Sequence, residues 1–135
     1  MKITTQDAIR LVAALQSFDQ VAETAEGEKC SFKLDGSTRM KMARNITRLQ
    51  EIVQAYQKTR NGLVYSLAEP GKNEVKPDSV GEFERQHEAL LALINEVQLL
   101  RISEEELRLD VNPVPVKTLA ALMPLLDMPV VTLAA

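Results

Sequence analysis

The chain has 135 residues, of which 45% are hydrophobic and 26% charged, and a formal net charge of −3. That length suits one domain with an ordinary core, and the composition excludes wholesale disorder. The acidic balance argues against strong nonspecific binding to nucleic acid. No apolar run approaches the roughly 20 residues that span a bilayer, because Lys117, Asp127 and four prolines interrupt the C-terminal stretch.

The first residues, Met-Lys-Ile-Thr-Thr-Gln-Asp, lack the apolar core and cleavage site of a signal peptide, so a cytoplasmic protein is expected. The lone Cys30 can make no intrachain disulfide and is expected to be inert. A first helix is predicted over 5–23, capped by Thr4 or Thr5. Asp7 is favourable at the positive end of its dipole, and Ala8, Leu11, Val12, Leu15, Phe18 and Ala22 form its buried stripe. Residues 25–29 read as a loop, and the alternation from Cys30 to Leu34 predicts a short strand.

Asp35-Gly36-Ser37 is turn chemistry that opens a long helix over 37–67. Met42, Ile46, Leu49, Val53, Tyr56, Leu63 and Leu67 step by fours and threes and lay one apolar seam along it, interrupted by Arg60. Asn61-Gly62 is a point where it can fray or stop. Pro70, Gly71, Asn73 and Pro77 mark the longest loop. Ser79 and Glu82 then predict a capping box for a third helix over 79–97, with Phe83, His87, Leu90, Leu91, Ile94 and Val97 as its stripe. Beyond Val97 the period changes. Short strands are predicted over 98–102 and 107–111, flanking an acidic turn and pairing with 30–34, and a last helix over 115–123 starts at Pro115.

Charge is unevenly spread: residues 33–60 carry seven basic and two acidic side chains, whereas 78–110 carry three basic and nine acidic. Lys41, Arg44 and Arg48 fall within about 60° of the helical wheel, away from the apolar seam. They are the anion-binding candidates, since forked guanidinium groups suit phosphates. The alternatives are a solvated face, or pairing to Glu82, Glu84 and Glu88 or to the acids at 104–106.

Glu84-x-x-His87 has the spacing of a helical metal ligand pair, but the long helix supplies only Glu51 against it, so no metal is expected. There is no Gly-x-Ser-x-Gly and no Gly-rich phosphate loop, nothing around Cys30 or His87 signals a nucleophile, and no cofactor is expected. The C-terminal stretch is unusually apolar, and Pro124 and Pro129 prevent one clean helix there. Part of it should enter the core. Leu125, Leu126, Met128, Val130 and Val131 are the candidates for surface left to a partner.

Met42-Ala43-Arg44-Asn45-Ile46-Thr47-Arg48-Leu49, Ala55-Tyr56-Gln57-Lys58-Thr59-Arg60, Glu82-Phe83, Leu90-Leu91, Glu96-Val97 and Leu119 to Leu126 with Pro124 form a pattern. In that order they resemble a family of small, functionally uncharacterised helical proteins of tailed bacteriophages and prophages. The resemblance implies an accessory protein of the host-cell cytoplasm that works by binding, and it assigns no catalytic residue.

The expected fold is mainly α, a single-domain helical bundle built on a long helical hairpin, with a small β element near the C-terminal third. The expected function is non-enzymatic protein–protein interaction with a host or virion partner, and the seam also suits a homo-oligomer. The alternatives are a sponge for a phosphorylated signal nucleotide that blunts host defence, and nucleic-acid binding through the basic face.

Overall fold

The structure is a computed structural model that describes residues 1–19, 21–23 and 29–127. It is mainly α. Helix α1 spans Thr5–Gln16, α2 Gly36–Leu67, α3 Val80–Leu91, α4 Glu104–Leu107 and α5 Val116–Leu122. Short strands β1 (Lys2–Thr4), β2 (Val21–Glu23), β3 (Lys29–Ser31), β4 (Ile94–Glu96), β5 (Ile102–Ser103) and β6 (Leu126–Asp127) form three separate pairs, β1 with β4, β2 with β3, and β5 with β6.

Helix α1 is the centre of the core. The Thr4 hydroxyl accepts the Asp7 amide at 3.1 Å, and Thr5, Ala8, Leu11, Val12, Ala14 and Leu15 are buried along one side. The helix stops at Gln16, short of the expected residue 23. Ser17 donates to the Ala14 carbonyl at 2.6 Å, a 3-10 turn follows over Ser17–Asp19, and the Phe18 and Phe32 rings meet 5.0 Å apart at a tilt of 56°. The backbone of Val21–Glu23 then runs antiparallel to Lys29–Ser31, so the strand expected at 30–34 is shorter and pairs with this neighbour rather than with the C-terminal third.

Helix α2 has 32 residues, a rod roughly 48 Å long. It continues through Asn61-Gly62 without a break. Buried Thr38, Met42, Asn45 and Leu49 all lie in its first half, the part that packs on α1 and on the segment from Leu100 to Glu106. At its far end the chain turns at Glu69-Pro70-Gly71-Lys72, where the Lys72 amide donates to the Glu69 carbonyl at 3.0 Å. Gly71 takes the positive φ of 82° that a turn of this kind needs at its third residue. The Lys76 amide reaches back to the Leu67 carbonyl, and α3 returns antiparallel along α2, with His87 beside Tyr56 and Phe83 beneath Arg60. The long helical hairpin is present as expected.

The capping box expected at Ser79 is not made: Ser79 has no side-chain cap bond, and Glu82 instead accepts from Arg85 and Gln86. Nor does α3 reach residue 97. Ile94–Glu96 pairs antiparallel with β1, and Asn95 secures the junction by donating to the Thr5 hydroxyl at 3.0 Å and the Leu93 carbonyl at 3.1 Å. The capping box forms at Ser103 and Glu106, and it starts α4. That short helix ends at Arg108, in the left-handed region at φ 50°, and the Asn112 amide folds back onto the Arg108 carbonyl. The strand expected at 107–111 is therefore a helix end and a turn.

Two fully covered amides hold the C-terminal third in place. Asn45 donates to the Leu100 carbonyl at 2.9 Å and accepts the Leu100 amide at 2.8 Å, satisfying both backbone groups of Leu100. Asn112 does the same for Lys33, at 2.9 and 2.8 Å, and also donates to the Leu107 carbonyl. Each side chain acts as a one-residue strand partner, which is how buried backbone away from a sheet stays satisfied. Among the described residues no buried side-chain nitrogen or oxygen lacks a partner.

Candidate functional site

The basic ridge does not face outward as a unit. The Lys41 ammonium lies 2.9 Å from both carboxylate oxygens of Glu106, the acid that also closes the α4 capping box. Partial burial pushes the Glu106 carboxyl up, but the Lys41 bonds and those of Ser103 outweigh it and hold the pKa below the usual glutamate value. Pairing with the 104–106 acids is thus what Lys41 does. Arg48 donates to the Gln98 carbonyl at 2.7 Å, beside the Asn45–Leu100 pair. Of the three anion-binding candidates, only Arg44 has no side-chain hydrogen bond or ion pair among the described residues. The two others tie α2 to the segment from Gln98 to Glu106.

The C-terminal candidates divide. Leu125 and Leu126 are buried, at 0% and 5% exposure, with Leu122 and Ile102 in the same core, so they are not partner-facing surface. The reason is β6: its parallel pairing with β5, preceded by the bond from the Ile102 amide to the Leu125 carbonyl, draws this segment inward. Met128, Val130 and Val131 lie outside the described residues.

The surface that the sequence underrated is the distal half of the hairpin. No residue of α2 after Leu49 is buried, and α3 has no buried residue at all. Tyr56, Leu63, Val64 and Leu67 from α2, and Phe83, Leu90 and Leu91 from α3, stay half-covered. At the tip Tyr65 is 78% exposed. An aromatic cluster organises the middle of this arm. The Phe83 and His87 rings stack 5.4 Å apart and 9° from parallel, and the His87 Nε2 and the Tyr56 hydroxyl share a hydrogen bond of 2.7 Å. Arg60 lies over the Phe83 face at 5.9 Å. His87 is therefore a packed histidine on an open helix pair, and among the described residues no three His, Cys, Asp or Glu side chains group as metal ligands.

A second feature is a groove of about 970 Å³ between α1 and α5, lined by Ile9, Arg10, Ala13, Ala121, Met123 and Pro124 among others. Asp7, Lys117 and Thr118 also line it, so its wall mixes apolar and charged groups, and it is half open to solvent. Among the described residues no helix is long and apolar enough to cross a membrane. Comparison with protein-family models, characterised proteins and solved structures returns no match to this chain.

Proposed function

We propose that the chain is a non-enzymatic interaction protein whose working surface is the arm formed by the distal half of α2 and by α3. One observation carries this reading: the arm is long, helical and half-apolar, yet none of its residues is buried by the rest of the chain. A helix of the 12 residues of α3 is marginal in water without a packed face, so a sequence that keeps it paired on α2 with both helices exposed is suited to completing that packing on a partner. Aromatic residues at the centre of the arm, with charge around them, match the composition of interface hot spots.

The proposal extends to the setting implied by the resemblance, an accessory protein of a bacteriophage that engages a host or virion protein in the host cytoplasm; that extension rests on the resemblance alone. Capture of a phosphorylated nucleotide or of nucleic acid by the basic ridge is less well supported, since Lys41 and Arg48 already spend donors on Glu106 and Gln98. The test is affinity capture from host lysate on immobilised wild-type chain beside Tyr65→Asp, a change at a 78% exposed position. A protein recovered selectively by the wild type and lost with Tyr65→Asp supports the reading. Identical recoveries from both would refute it.

A further inference from the structure

We infer that α3 is a strap, tied to the rest of the fold at its two ends and latched to α2 in the middle, which leaves α2 as a unit and so controls access to the arm. The inference rests on the arm being the docking surface, and it adds how that surface is opened.

The two ends are firmly tied. Before α3, the Lys76 amide donates to the Leu67 carbonyl at 3.0 Å and Ala68 bridges Val75. After it, the Leu93 carbonyl accepts the Thr5 amide at 3.0 Å, and Ile94–Glu96 pairs with β1. Between these ties the hold is slight. The core and the half-covered apolar residues packed on it take Ile46, Ile52 and Val53 from α2 but none from Val80–Leu91. Among the described residues a single side-chain hydrogen bond joins α3 to α2, the 2.7 Å contact of Tyr56 with His87, and no ion pair does.

The helix is also weak by itself. Ser79 makes no side-chain cap, and the last turn has no basic residue. Gly81 stands in the first turn although a Cβ there would meet nothing within 4 Å, so space does not demand a glycine. The internal brace, Glu82 accepting from Arg85 and Gln86, is solvent-exposed and contributes little. Undocking and unravelling are then one event: off α2, a helix of 12 residues does not keep its backbone bonds, and the amides of residues 84–91 exchange with water together. Helix α2 stays in place, because its first half is in the core. Opening bares the side of α2 that carries Tyr56 and, seven residues on, Leu63.

Hydrogen exchange of the full chain in urea below its unfolding midpoint tests this. Amides of 84–91 are expected to share one urea slope, smaller than that of 8–15. Tyr56→Phe removes the latch but keeps the ring and should speed exchange of 84–91 roughly fivefold. Gly81→Ala should slow it roughly threefold. Asn112→Ala, in the clamp on Lys33 and Leu107, weakens the closed and the strap-open forms alike, so it should speed exchange at 8–15 and leave 84–91 unchanged. A protein captured on the immobilised wild type should associate faster with Tyr56→Phe and more slowly with Gly81→Ala. A common urea slope for 84–91 and 8–15, or equal acceleration of both by Asn112→Ala, would overturn the strap. Unchanged exchange of 84–91 in Tyr56→Phe would overturn the latch, and capture rates that ignore both variants would overturn the control of access. If Tyr65→Asp captures as the wild type does, the docking reading fails and access control with it, while the opening measured by exchange still stands.

Discussion

Replacing Asn45 by alanine should cost more than the loss of any other polar side chain of α2. The side chain is fully buried and satisfies both backbone groups of Leu100, at 2.9 and 2.8 Å. A buried group left unsatisfied costs about 1–3 kcal/mol, and two of them about 2–6. Leu100 is only half-buried, so water can reach part of what is orphaned, which puts the expected loss at about 2–3 kcal/mol. Against a total stability of about 5–15 kcal/mol this is a large fraction. Urea unfolding followed by circular dichroism should show the midpoint fall with an unchanged slope. Asn45→Asp separates the two bonds. It keeps the acceptor for the Leu100 amide but turns a carboxylate toward the Leu100 carbonyl, so at neutral pH it should cost more than alanine. The introduced carboxyl is buried and stabilised only when protonated, which raises its folded-state pKa above the unfolded value. The variant should therefore lose stability as pH rises through the acidic range, relative to wild type. A loss below about 0.5 kcal/mol for Asn45→Ala, within what ordinary surface changes produce, would refute the clamp.

Three further outcomes follow from the same structure. Asn112→Ala removes three bonds linking Lys33 and Leu107 to one amide and should destabilise by about 2–4 kcal/mol in the same urea assay, with faster hydrogen exchange at the Lys33 amide. Glu106 has a depressed folded-state pKa, so its contribution is present above the unfolded value and is lost as pH falls through the folded one; Glu106→Gln or Lys41→Met should flatten stability against pH on the acid side of the usual carboxylate range. Leu125→Asp places a charge at a fully buried site and should cost well over about 3 kcal/mol, lowering the thermal midpoint, rather than yielding a folded chain that has merely lost a partner.

What the sequence disclosed divides along physical lines. The two long helices, the loop between them and the last helix were legible because their signals are local: apolar steps of three and four, Pro-Gly punctuation, Pro115 at a helix start. The β1–β4 pairing was not, because nothing near Ile94 announces a strand; what ends α3 is an edge contributed by residues 90 to 94 positions earlier. Among the Ser-x-x-Glu motifs, the one at Ser79 lost its glutamate to Arg85 and the one at Ser103 capped a helix within the segment read as an acidic turn. Asn45 did leave a trace: it stands three after Met42 and four before Leu49, a polar residue on the buried side. The candidate surface was half legible. Periodicity gave the seam from Met42 to Leu67, but it could not say that burial stops near Leu49, since the helices that cover the first half are placed by long-range contacts.

Hydrogen exchange on the wild-type chain tests most directly whether the arm is the surface left to be covered. Amides of residues 54–67 and 80–91 should exchange faster than those of 8–15 and 42–49, which lie inside the core, and should gain protection once a captured partner is bound. Protection as strong in the arm as in the core with no partner present would contradict the account.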